Sequence, residues 1–226
     1  MLELAVFLGN PGGEYRRNRH NAGRLLAEKL PFYGGLVWRK KYRGLYAFID
    51  RAALPAAGPS LPGVGVPAAQ AVPAAQAAGT VHFLMPETYM NLSGDSVFKA
   101  ASFFKTAPEG IIAVHDELEL PLGTVSLKFG GGLGGHNGLR SMKERLNSAA
   151  FWRLRIGIGR PPGRLPGEGG PPGSGGDVTS WVLSDFSPRE QPLLEAALEA
   201  AGGALCAALV SGPNSLLPEW GKKRLP

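Results

Sequence analysis

Five positions carry side chains that could do chemistry, and all five stand at the ends of regular elements. Asn10 follows the apolar run 2–8, Asp116 ends the run 111–115, His136 and Asn137 follow the glycine cluster 130–135, and Asn91 stands just before a helix opening at Ser93. In open α/β sheets the ligand crevice lies outside strand ends, so these residues can converge. His20 joins them from a loop, with Arg16, Arg17 and Arg19 before it and Asn21 after. A histidine can act as general base at neutral pH, a carboxylate can hold its tautomer, and carboxamides can donate to an oxyanion. That combination suits attack of water on an ester without an acyl-enzyme. No serine sits in GxSxG, and neither HExxH nor a Cys/His cluster is present, so the sequence offers neither a nucleophile elbow nor a metal site. No metal and no cofactor are expected.

Each residue taken singly has a plainer reading. His20 reads as a solvated loop histidine, Asp116 as a turn cap, and His136-Asn137 and Asn91 as helix caps. His82 and His115 read as structural. The case rests on the group. The glycine cluster satisfies GxGxxG between a strand and a helix, but no acidic residue follows at dinucleotide spacing, so the glycines instead suit a backbone that approaches a bulky ligand closely.

The elements that must position these residues alternate along the chain. Strands are expected over 2–8, 42–50, 81–85, 111–115, 124–129, 153–159 and 178–183, and helices over 21–30, from Ser93, over 137–146 and from Ser187-Pro188-Arg189-Glu190 to about Val210. The pattern predicts an α/β three-layer sandwich with a central mixed, mostly parallel twisted sheet flanked by helices, and at least one antiparallel pair near the middle. The chain reads as one domain over 1–226 with Gly/Pro/Ala-rich insertions at 52–79 and 161–176. In the first, VPAAQA occurs twice in tandem, and such a segment buries too little to offset its ordering entropy.

With 33 Gly and 20 Pro the 226-residue chain is rich in punctuation, yet 44% hydrophobic residues leave material for a core. No run approaches the uncharged apolar length of a membrane span, and Glu3 stands where a signal peptide would be basic, so no membrane and no export are expected. The single cysteine, Cys206, sits in an apolar helical setting and fits a reducing cytoplasm. A net charge of +6 is consistent with a polyanionic partner.

Five segments together resemble the bacterial-type peptidyl-tRNA hydrolases: FLGNPGGEYRRNRHNAG (7–23), MPETYMNLSG (85–94), VHDELELPLG (114–123), GGGLGGHNGLRS (130–141) and RLRIGIGRP (153–161). They come in the family's order and are spread from 7 to 161, on both sides of the first insertion. The resemblance implies a monomeric hydrolase that splits peptidyl-tRNA into tRNA and peptide. By it, His20 is the base that activates water, Asp116 holds it, and Asn10 distinguishes a blocked aminoacyl end from a free amine. Tyr15, Tyr89, Asn91 and Asn137 match contacts to the substrate and the tRNA end, Met90 and His136 line the cleft, and Lys128 and Arg155 match residues that meet tRNA phosphates.

The sequence departs from the family pattern at Asn18, where threonine is usual, at Met85, where lysine is frequent, and at Leu133, where histidine is common. None of these removes a catalytic residue. The rival reading, a tRNA-binding protein of the same fold without the chemistry, is opposed by the presence of His20, Asp116, Asn10, Asn91 and Asn137.

Overall fold

The structure is a computed structural model that describes residues 1–55, 78–161 and 177–225. Most of both insertions lies outside the described residues. Strand β1 (Leu4–Phe7) is buried on both faces, as a central parallel strand must be, with Leu4 and Val6 on one side and Ala5 and Phe7 on the other. After helix α1 (Ala22–Glu28) the chain forms the hairpin β2 (Arg39–Lys41) and β3 (Gly44–Asp50), then β4 (Thr80–Pro86), α2 (Ser93–Phe104), β5 (Ile111–Glu117) and β6 (Thr124–Phe129). Helix α3 (Asn137–Leu146), β7 (Trp152–Gly157), α4 (Val178–Val182), α5 (Gln191–Ser211), α6 (Leu217–Trp220) and β8 (Lys223–Arg224) follow.

These strands form one eight-stranded sheet in the order β2-β3-β4-β1-β5-β7-β6-β8. Its four central strands, β4, β1, β5 and β7, are mutually parallel, and the antiparallel pairs lie on both flanks rather than near the middle. One face packs on α1 and α5 through Phe7, Leu26, Val114 and Leu205, and the other on α2 and α3 through Val6, Val97, Leu139 and Met142, giving the expected three layers. The approach of α2 to α3 is close enough that a Cβ on Gly94 would stand 2.1 Å from the Ser141 carbonyl oxygen.

The segment 178–183, expected as a strand, is instead the short helix α4. Its β-branched residues favour a strand, but Asp177 caps it by accepting from the backbone N–H groups of Thr179 (2.9 Å) and Ser180 (3.2 Å). The sheet edges are occupied by β2 and β8, which the pattern did not mark because they are short and almost wholly basic, the composition that blunts an edge. At Ser187 the backbone N–H donates to Glu190 (2.7 Å) as a capping box would, although the helix proper starts at Gln191. α5 is the one helix among the described residues long and apolar enough to cross a membrane, and 78% of that stretch is buried inside the fold, where it packs as a core helix. Cys206 lies in it, and burial pushes its thiol pKa up to about 12.

Candidate active site

The parallel register of β1 with β5 (Phe7 beside Val114) and of β1 with β4 (Val6 beside Leu84) brings three strand ends together. Asn10, Asp116 and the Tyr89–Asn91 turn therefore share one rim. His20 reaches it from a 3-10 turn, Arg19–Asn21, that leads into α1. That helix sits hard on the strand ends because Gly23 has no side chain: a Cβ there would lie 2.5 Å from the Val114 carbonyl oxygen and 2.6 Å from that of Leu8. Asn10, His20, Tyr89, Met90, Asn91, Asp116, His136 and Asn137 line a cavity of ≈ 660 Å³.

At its floor Asp116 is buried and accepts from two imidazoles. His20 Nδ1 lies 2.9 and 3.0 Å from the two carboxylate oxygens, and His136 Nε2 lies 3.0 Å from Oδ1. The tautomer of His136 follows from its surroundings. Its Nδ1 faces the backbone N–H groups of Gly138 (3.1 Å) and Leu139 (3.4 Å), which can only donate, so Nδ1 accepts and the ring proton sits on Nε2, pointing at Asp116. His136 thus caps α3, as one sequence reading allowed, and also belongs to the polar cluster.

Burial alone would raise the Asp116 pKa, but the charges and hydrogen bonds of His20 and His136 outweigh it and hold the carboxyl well below the usual range. For His20 burial works to lower the pKa, and the charge and hydrogen bond of Asp116 overcome it, leaving a net rise above 6.5. The ionised carboxylate fixes the His20 proton on Nδ1. Nε2, with no hydrogen-bond partner among the described residues, is left as a base on a ring that lines the cavity.

His20, Asp116 and His136 also bring three ligand-type atoms within 4.8 Å of one another. Both ring nitrogens that face the carboxylate carry protons in this arrangement, so the cluster as built is a hydrogen-bonded relay and would have to give up the α3 cap to bind a cation through His136.

Asn10 is oriented as firmly as His20. Its Oδ1 accepts from the Met90 backbone N–H (2.8 Å), while its own backbone N–H and carbonyl are held by Asn21 at 2.8 and 3.0 Å. With Oδ1 engaged, the Nδ2 amine is the end left to offer a substrate carbonyl.

Tyr15, Lys128 and Arg155 do not line this cavity. Tyr15 lies in the 3-10 turn Gly13–Tyr15. Lys128 is exposed near the end of β6 beside Gly131, and Arg155, on β7, contacts Glu117 (3.5 Å) and Ser126 (2.6 Å). The glycine loop is held by Arg153, which donates to the carbonyls of Gly131 (2.8 Å) and Gly132 (2.6 Å). Gly130, Gly131, Gly134 and Gly135 all have positive φ, so backbone conformation is what requires glycine here.

The sequence reading missed three contributors. Val178, Thr179, Val182 and Leu183 form one wall of the cavity, and Arg140 lies on its rim. Arg19, beside the base, is buried and fastens that wall. It donates to Glu190 through two contacts (2.8 and 2.9 Å), to Ser184 Oγ (2.9 Å) and to the Asp185 carbonyl, and its guanidinium lies 3.8 Å from the Trp181 ring centre.

A parallel-centred α/β sandwich with a His–Asp pair and a fixed carboxamide at its strand ends holds the groups that hydrolysis by an activated water requires. Known proteins narrow the class. The profile of the peptidyl-tRNA hydrolase family matches residues 4–225. A peptidyl-tRNA hydrolase of Treponema pallidum is 43% identical over 99% of this chain and 96% of its own. The crystal structure of peptidyl-tRNA hydrolase from Acinetobacter baumannii superposes with a TM-score of 0.73 at 34% identity, covering 95% of this chain and 91% of that one. A peptidyl-tRNA hydrolase complex with N-propanol does so with 0.75 at 32% identity, over 100% and 96%. The chain belongs to the peptidyl-tRNA hydrolase family.

Proposed function

We propose that this protein hydrolyses the ester joining a peptide to the terminal ribose of tRNA, releasing free tRNA and a peptide acid. The observation that carries the reading is the His20–Asp116 pair, with Nδ1 engaged and Nε2 left over on a ring that lines the cavity. His20 Nε2 takes a proton from water, whose oxygen attacks the ester carbonyl carbon. The carboxamides of Asn91 and Asn137, which line the cavity, donate to the oxyanion that forms. When the carbon–oxygen bond to ribose breaks, imidazolium returns the proton to the leaving ribose oxygen, so water is divided between acid and alcohol. Asp116 stays ionised and orients the ring.

Asn10 Nδ2 donates to the acyl chain's next carbonyl, a group that a free aminoacyl end lacks, and a free ammonium would have to be desolvated beside it. Lys128 and Arg155 meet tRNA phosphates on the β6–β7 side, where contact is chiefly electrostatic. Tyr89, Met90 and His136 complete the contacts to the substrate end within the cavity, and Tyr15 meets the substrate from outside it. The protein acts as a monomer in the cytoplasm, a setting that fits its single buried cysteine.

Release of acyl product from N-acetyl-aminoacyl-tRNA beside unblocked aminoacyl-tRNA, with EDTA present, tests the reading. Cleavage of the blocked substrate alone, with the gap narrowed in Asn10→Ala, is expected. Equal cleavage of both substrates would remove Asn10 from its role, and salt-sensitive tRNA binding without any cleavage would favour a binding protein.

A further inference from the structure

A second groove, of ≈ 720 Å³, opens beside the catalytic cavity and shares Tyr89 with it. Pro11, Lys40, Lys41, Tyr42, Arg43, Glu87 and Leu92 contribute to its walls. Arg43 is committed to Asp95 at 2.7 Å, whereas Lys40 and Lys41 are exposed and make no ion pair among the described residues, leaving the groove net positive despite Glu87. The wall is a strained and braced hairpin. Tyr42 and Arg43 form its two-residue turn with φ of 54° and 58°, a conformation usually given to glycine or asparagine. The Tyr42 ring packs within 5.3–5.5 Å of Tyr46, Phe103 and Phe104, which holds the turn against α2. Strain of this kind persists where surrounding contacts enforce it.

The position of the groove in the sheet selects its occupant. It lies on the β2–β3–β4 side of the catalytic strands β1 and β5, whereas Lys128 and Arg155 lie on β6 and β7, across the centre. With tRNA on the β6–β7 side, which rests on the function proposed above, the acyl chain leaves the ester toward Asn10, Pro11 and Tyr89. We propose that this groove is a nascent-peptide subsite, and that Lys40 and Lys41 make it favour acidic side chains upstream of the esterified residue. Pro11, Tyr42, Tyr89 and Leu92 supply apolar contact for a chain of otherwise varied sequence.

The test compares kcat/KM on pentapeptidyl-tRNAs that share a C-terminal residue and carry Glu-Glu, Ser-Ser or Lys-Lys at the far end, each normalised to N-acetyl-aminoacyl-tRNA, which has no residue upstream of the esterified one. The wild-type protein should prefer the Glu-Glu over the Lys-Lys substrate by about 3- to 10-fold, as two exposed charge pairs allow. Lys40→Glu combined with Lys41→Glu should reverse that ratio. A ratio near one in the wild-type protein, or one unmoved by the double variant, overturns the subsite. Equal weakening on every substrate, together with a shallower salt dependence of tRNA binding, assigns the groove to RNA and overturns it as well. Failure to cleave even N-acetyl-aminoacyl-tRNA would instead show that the hydrolase reading itself has failed, and the subsite with it.

Discussion

Asp116 accepts from His20 through both of its oxygens, at 2.9 and 3.0 Å, across 96 residues of sequence. The contact fixes the tautomer of the base and raises its affinity for a proton, two effects that separate experimentally. Loss of the first lowers the rate at every pH, and loss of the second moves the pH at which the rate rises.

The pH dependence follows from the sign of the His20 shift. The base works only when neutral, and its pKa is raised above 6.5, so kcat/KM should climb with pH through an inflection above 6.5. Asp116→Asn removes the charge that opposes desolvation, so the inflection should move down. The plateau should also fall, by roughly 10²- to 10⁴-fold, the usual worth of a positioned base. A pH–rate profile of both proteins on N-acetyl-aminoacyl-tRNA checks this, and an unmoved inflection would show that His20 is not the titrating group.

Arg19 connects the loop that carries the base to the α4 wall. Arg19→Ala removes a buried cation with several hydrogen bonds and should cost about 3 kcal/mol, read as a lower midpoint in urea. Glu190→Gln keeps a hydrogen-bond acceptor and should cost less. Equal stability of Arg19→Ala and the parent would mean that Ser184, Asp185 and Glu190 hold that wall without it.

Acid should loosen the fold through His115. This residue is fully buried behind the site, with Nδ1 2.6 Å from the Asp116 carbonyl oxygen, and burial together with the neighbouring His136 drives its pKa down to about 3. In the unfolded chain it titrates near 6.5, so the stability that comes from keeping it neutral is present above that pH and drains away as pH falls from about 6.5 toward 3. His20 runs the other way, its contribution being complete below 6.5 and lost as pH rises through its raised folded value. Urea midpoints at pH 7.5 and 5 should therefore fall more in the parent than in His115→Gln. Identical losses would place the acid sensitivity elsewhere.

Much of the site was legible because its residues occupy strand ends, where an open α/β sheet concentrates ligand contacts, and because the five motif segments carry the family's pattern. Asn10 and Asp116 lie together for that reason, and Asn91 and His136 join them from the starts of α2 and α3. The orientation of Asn10 was not legible, since it depends on a Met90 backbone N–H 80 residues away. Neither was the role of Arg19, whose partners follow the second insertion and which reads locally as one arginine among three. The wall at 178–183 was misread because its apolar pattern suits a strand, while the Asp177 cap just before it decides for a helix. Edge strands β2 and β8 are nearly all Lys and Arg and carry no alternation to detect.

The central claim is that His20 activates the attacking water, and His20→Ala tests it most directly when single-turnover cleavage of N-acetyl-aminoacyl-tRNA and tRNA affinity are measured on the same preparation. The account predicts that cleavage falls by at least about 10²-fold while affinity stays within a few-fold of the parent. Cleavage near the parental rate, with tRNA bound as before, would contradict it.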